Sequence, residues 1–377
     1  MKVVLLGKWP ENRLEGGVAF YTVNILRSLE KIDSVFVHYI SFGERSRVLY
    51  ENSAKITIIG IKKFYYIFPF LAVIRLIKEI EVDRPDVIHV MGSNISPYIW
   101  STLYFRKKTL VILSVLGVLQ KEIKFEKFPR KIYMVLNGLN ELFFTSMIPV
   151  LTVATNSLKD LFVPHTRSKI FIVPSGYTSH QVETEPEDED IDIFIAARLT
   201  NIKGVDILLA AIPAVLKEIP NLKVCIAGNG EEKQNLENLT KKLHITDNVR
   251  FLGFIAEEDK HRMYRSCKIC VVPSRWDCQP ISILEAIAFG KPVIASTASN
   301  PEVLEIGKCG LLFNSEDSND LADKIKILLG DKNLRQDLGR NGKKISKDYD
   351  WDVIASKFFD IYRGEILSYT MKINKES

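Results

Sequence analysis

Short β-branched runs and amphipathic segments take turns along this chain, and the whole pattern occurs twice. In the first half, residues 3–7, 35–41, 56–61, 86–90, 109–115, 150–155 and 170–173 are apolar runs of buried-strand length. Between them lie helical patterns such as 18–30 and 131–144; in the latter, Ile132, Val135, Leu136, Leu139, Leu142 and Phe143 share one face. Such alternation implies a parallel sheet covered on both sides. A run of acids with one proline, 182–190, then reads as solvated linker. The alternation restarts with strand patterns at 192–197, 223–228, 249–254, 269–273, 292–296 and 310–314. The pattern predicts two α/β domains, 1–176 and 192–350, joined by an acidic linker at 177–191.

A length of 377 residues suits two domains. The apolar and charged fractions, 46% and 26%, are those of a globular protein. The greasy stretches 64–74 and 142–154 fall short of the ~20 residues that span a bilayer, so a soluble or peripheral protein is expected. Five cysteines point to a reducing compartment. Cys267 and Cys270 form a CxxC without a second pair at zinc-ribbon spacing, and packing is the expected role. Charge is uneven: residues 1–176 carry 24 Lys+Arg against 14 Asp+Glu (+10), and residues 177–377 carry 27 against 32 (−5). The basic half is suited to anions or a membrane surface.

Three constellations carry the chemistry. Gly16 and Gly17 precede a predicted helix, where backbone can approach a ligand and the helix N-terminus favours an anion. Arg198 and Lys203 follow the first strand of the second domain. There they would reach over the carboxyl edge of the sheet, one as a planar fork and one as a mobile point charge for phosphate. The third is 273–286, Pro-Ser-Arg-Trp-Asp-Cys-Gln-Pro-Ile-Ser-Ile-Leu-Glu-Ala. Its helix is expected to open near Pro280, leaving the amides of Ile281 and Ser282 free. Asp277 before that helix and Glu285 within it can each accept two hydroxyls of a diol. Glu285 stands in an apolar stretch, where a bare carboxylate would cost several kcal/mol.

Residues 273–296 resemble the Pro-Ser…Glu…Glu-Ala…Gly-Lys-Pro-Val-Ile-Ala-Ser signature of retaining GT-B glycosyltransferases that use nucleotide sugars, the glycogen-synthase and mannosyltransferase type. The resemblance extends over nearly the whole chain. It implies two Rossmann-like domains facing each other across a cleft, with the acceptor on the first and the donor on the second. A last helix, 351–371, would cross back to the first domain. By the same resemblance Asp277 binds the donor sugar, Glu285 holds the ribose, and Arg198 and Lys203 neutralise the diphosphate. Gly16 and Gly17 close over that diphosphate; Gly228, Gly253, Phe254 and Gln279 frame the donor. No enzyme nucleophile, cofactor or metal is implied.

This chain departs from the pattern in three places. Leu116 stands where many relatives carry a His, Cys278-Gln279-Pro280 replaces Gly-Phe-Gly, and the first acid is shortened to Asp277. A sugar-nucleotide 2-epimerase and a non-catalytic sugar-nucleotide binder are the other readings of the same architecture. The Asp188-Glu189-Asp190-Ile191-Asp192 stretch contains an Asp-x-Asp but is expected to be solvated linker, not a metal site. Residues 121–131 interleave five cations with Phe125 and Phe128, near Arg106-Lys107-Lys108 and apart from Lys62-Lys63-Phe64-Tyr65-Tyr66. A cytoplasmic protein resting on an anionic membrane and drawing on a glycan or lipid-linked acceptor is the expectation.

Overall fold

The structure is a computed structural model, and it describes residues 1–9, 16–60, 69–92, 96–125, 145–178 and 189–376. The chain divides into two compact units, Met1–Ser175 with Trp351–Ser377, and Gly176–Asp350.

The first unit is built on an eight-stranded sheet of order β3-β4-β2-β1-β5-β6-β7-β8. Its strands are β1 (Lys2–Leu6), β2 (Phe36–Gly43), β3 (Arg47–Glu51), β4 (Ala54–Gly60), β5 (Val87–Met91), β6 (Leu110–Val115), β7 (Val150–Val153) and β8 (Lys169–Ile172). All pairings are parallel except β3 with β4. β3 was not expected. It is an exposed edge strand, so no buried face patterns its sequence. The fully buried β5 and β6 are continuous apolar runs broken only by His89 and Ser114, as expected of strands covered on both faces.

The helix Trp351–Glu376 belongs to this unit. Trp351, Ile354, Ala355, Phe358 and Tyr362 join Val3, Leu5, Tyr21 and Ile25 in one core. Fully burying one such large side chain is worth ~1.5–3 kcal/mol. Trp351 also meets Tyr21 edge-on at 5.2 Å. Beneath this helix a buried polar chain runs from Tyr362 Oη to His89 Nδ1 (2.6 Å), from His89 Nε2 to Ser114 Oγ (2.7 Å) and on to Thr152 Oγ1 (2.7 Å).

The second unit has a six-stranded parallel sheet of order β11-β10-β9-β12-β13-β14. The strands are β9 (Ile191–Ala196), β10 (Val224–Ala227), β11 (Val249–Gly253), β12 (Cys267–Val272), β13 (Val293–Ser296) and β14 (Gly310–Phe313). Here the boundary differs from the expected linker at 177–191. Tyr177 is already buried in the second unit. Its N–H donates to Tyr349 O at 2.9 Å, and it forms a bridge with Asp350. The chain therefore enters and leaves this unit side by side. At the other end of the expected linker, Ile191 opens β9. Most of the acidic run, and the predicted helix at 131–144, lie outside the described residues.

Candidate functional site

In an open parallel sheet, ligands bind beyond the carboxyl ends of the strands, where the winding order reverses. In the second unit the chain winds from β9 to β10 and β11, then returns to place β12 on the other side of β9. The reversal lies between β9 and β12. The loops leaving those two strands are the ones that carry Arg198 and Lys203, and Asp277.

These loops are tied together closely. Gly204 sits at φ +63°, and a Cβ there would stand 2.1 Å from Pro273 O, so only glycine lets the two backbones approach. Arg275 N–H donates to Ile202 O at 2.8 Å. The Lys203 ammonium pairs with the Asp277 carboxylate. Asn300, in the left-handed region at φ +50°, donates its side-chain amide to Asp277 O. Arg198 is exposed on its loop. The structure thus brings Lys203 and Asp277, predicted for phosphate and sugar respectively, into direct contact.

The helix after this loop is Ile281–Ala288, with Pro280 as its N-cap rather than its first residue. No side chain caps it, which leaves the amides of Ile281 and Ser282 at the open end. Gln279 is buried beside them. One turn along, ~6 Å further by helix rise, stands Glu285. Its partners were not anticipated. Lys260 Nζ donates to Oε1 at 2.7 Å and Tyr264 Oη to Oε2 at 2.9 Å. Burial pulls the Lys260 pKa down, but Glu285 and Glu257 outweigh it and hold it up at about 12. Tyr264 stacks on Phe289, with ring centres 5.5 Å apart. Each oxygen of Glu285 has one bond spent and acceptor capacity left for a diol.

The glycine turn after β10 sits against the β9 loop, and the end of β11 sits against that turn. Gly228 has φ +130°, and a Cβ on it would lie 1.9 Å from Ala197 O; on Gly230 one would lie 2.1 Å from Leu199 O. Gly228 N–H also donates to Gly253 O at 2.7 Å. Gly253 is left-handed at φ +68°, and Phe254 after it is half exposed.

In the first unit the winding reverses between β1 and β5. Gly16 and Gly17 are the first residues of the helix Gly16–Leu29, which follows β1. Gly92, at φ +96° after β5, comes near Val18 in that helix. Leu116 directly follows β6, half-buried against the core of the unit.

Other expected features fall as follows. Cys267 and Cys270 are buried with their sulfurs 3.6 Å apart, and burial pushes the Cys270 thiol well up. Glu189 pairs with Lys291 at 2.9 Å, and Asp192 with Lys268 at 2.7 Å. Of the basic stretch 121–131, only 121–125 are described. They form short turns in which Lys124 lies 4.6 Å from the centre of the Phe125 ring. Residues 126–131 and 62–66 lie outside the described residues.

The chain is 26% identical over 344 residues to an uncharacterised glycosyltransferase of Methanocaldococcus jannaschii, covering 89% of this chain and 91% of that protein. Identity reaches 31% with another such protein of that organism, over 47% of this chain and 46% of the relative. Among solved structures, sucrose-phosphate synthase from Thermosynechococcus elongatus superposes with a TM-score of 0.82 at 19% identity, covering 97% of this chain and 99% of that one. Anabaena HepE in complex with UDP-glucose gives 0.76 at 16% identity, covering 97% and 100%. Residues 176–345, which hold both carboxylates and both cations, match the family described as glycosyl transferases group 1.

Proposed function

We propose that this protein is a retaining glycosyltransferase that moves a hexose from a nucleoside-diphosphate sugar to a glycan or lipid-linked acceptor. The observation that carries the reading is the Lys203–Asp277 pair at the β9/β12 reversal, followed by a helix with an uncapped start and the clamped Glu285 one turn into it. The family match over residues 176–345 and the sugar nucleotide held by HepE support the donor class.

In this reading the open amides of Ile281 and Ser282, with Arg198 and Lys203, face the donor diphosphate. Negative charge grows on that diphosphate as the glycosidic bond loosens, and preorganised donors aimed at it lower the barrier. Asp277 takes a sugar hydroxyl and Glu285 the ribose diol. No side chain is assigned as nucleophile or general base.

We expect no metal requirement, because the cations and amides supply the neutralisation and two carboxylates of the acidic stretch already hold lysines. A thermal-shift panel of nucleoside diphosphates and their sugars tests the donor, since binding raises stability by mass action. Transfer with the best donor in excess EDTA tests the metal, and the anomeric configuration of the product by NMR tests retention. A panel without any shift, or activity restored only by manganese or magnesium, would overturn the corresponding part. Contact with an anionic membrane through 121–131 is proposed on the sequence pattern of cations interleaved with Phe125 and Phe128. Vesicle binding should need anionic lipid and weaken steeply with salt.

A further inference from the structure

The Pro273–Pro280 loop contains a cation that the diphosphate reading does not use. The guanidinium of Arg275 has five N–H donors, and all are spent. Nε donates to Glu316 Oε1 at 2.6 Å. Nη1 donates to Asn201 O at 2.6 Å and Asp206 Oδ1 at 2.8 Å. Nη2 donates to Asp206 Oδ2 at 2.7 Å and Glu316 Oε2 at 3.1 Å. The side chain is 13% exposed.

Two carboxylates around one guanidinium leave a local charge of −1, which repels a phosphate. Arg275 is therefore built to hold protein rather than ligand. What it holds is specific: Asn201 and Asp206 bracket Lys203 in sequence, and Arg275 stands two residues before Asp277. One planar group grips the Lys203 loop on both sides and fastens it to the loop that carries its ion-pair partner. The backbone bond from Arg275 N–H to Ile202 O adds a third point. On the far side, Glu316 occupies a left-handed conformation at φ +69°, which a non-glycine residue keeps only where its surroundings hold it. Its carboxylate is held by Arg275.

We infer that Arg275 is a positioning residue for the diphosphate subsite, setting the Lys203 ammonium in place through the Asn201–Asp206 segment without touching the donor. The inference rests on the reading of Lys203 given above. Lysine cannot substitute, because a single ammonium lacks the fork that engages two carboxylates and a carbonyl in one plane.

The test is calorimetric titration of the whole protein with UDP, GDP and ADP, followed by the tightest of the three in a double-mutant cycle. Arg275→Lys should weaken diphosphate binding by at least ~10-fold, the scale of a misplaced preorganised group. In a Lys203→Ala background the same change should matter less than ~2-fold, because a residue acting through Lys203 has nothing left to place. Denaturation midpoints accompany each variant. Should Arg275→Lys fail to fold, Asp206→Asn and Glu316→Gln loosen the same grip one contact at a time and should weaken binding in the same Lys203-dependent way. Binding by Arg275→Lys within ~2-fold of the parent, or an equal loss with and without Lys203, overturns the inference while the donor-site reading stands. If the parent binds none of the three nucleotides, both fall.

Discussion

The ammonium of Lys260 lies 2.7 Å from Oε1 of Glu285, and the hydroxyl of Tyr264 closes on Oε2 from the same helix, Glu257–Ser266. A carboxylate inside an apolar helix is tolerable because both oxygens are answered. Tyr264→Phe removes one answer while keeping the ring stack on Phe289. It should cost ~1–3 kcal/mol of stability and weaken nucleotide binding, both readable from urea denaturation with and without nucleoside diphosphate. Unchanged values for both would remove Tyr264 from the account of Glu285.

Acid should act on the first unit through His89. Burial lowers its pKa from 6.5 to about 3, so the folded protein keeps it neutral while the unfolded chain protonates near 6.5. The unfolded state then binds more protons, and stability present above pH 6.5 is lost as pH falls toward 3. The loss approaches ~1.4 kcal/mol per pH unit for one such group. His38, also lowered chiefly by burial and partly restored by Asp83, adds in the same direction. Urea midpoints of the parent should decline between pH 7 and 5, and His89→Gln should flatten that decline.

Lys203→Ala and Arg198→Ala should each reduce transfer by at least ~100-fold, the size seen when a donor at a developing charge is lost. The two should differ in their side effects. Arg198 is exposed, so its loss should leave the thermal midpoint alone. Lys203→Ala strips Asp277 of its ion-pair partner and should lower the midpoint measurably. Near-normal turnover of Lys203→Ala would mean that this loop has been misassigned.

Gly204→Ala places a methyl 2.1 Å from Pro273 O at a backbone angle that alanine resists. The two loops must part, and a loss of ~2 kcal/mol or more is expected from strain of this kind. Nucleoside-diphosphate affinity should fall with it. Gly330→Ala, where an added Cβ meets nothing within 4 Å, is the matched control and should be near neutral.

Much of the fold was legible because buried parallel strands leave an apolar run in the sequence whatever their neighbours are. Every strand expected in the second half is found within a residue or two of its predicted ends. β3 escaped because Arg-Val-Leu-Tyr-Glu at an exposed antiparallel edge carries neither a run nor an alternation. The expected linker shifted because Tyr177 anchors by tertiary burial, which no local pattern reports. At the site, Asp277 and Glu285 were visible from the signature and Lys203 from its loop after a strand, but what holds them was not. Lys260 and Tyr264 sit in Glu-Glu-Asp-Lys-His-Arg-Met-Tyr-Arg-Ser, a stretch that reads as a solvent-facing helix until Glu285 is seen beneath it. Arg275 and Asn300 read as ordinary loop polar residues, because their partners lie far away in sequence.

The helix Trp351–Glu376 gives the chain an order of assembly. Its Trp351, Phe358 and Tyr362 fill the core beside Val3 and Leu5, yet the ribosome makes them after all of Gly176–Asp350. The second unit can complete its own core first during synthesis. The first unit must wait, with Tyr21 and His89 still unroofed, until this helix emerges. Of the two units, the one begun earlier is thus the one completed later, and a chain cut off at Asp350 would leave its apolar floor open to chaperones and proteases.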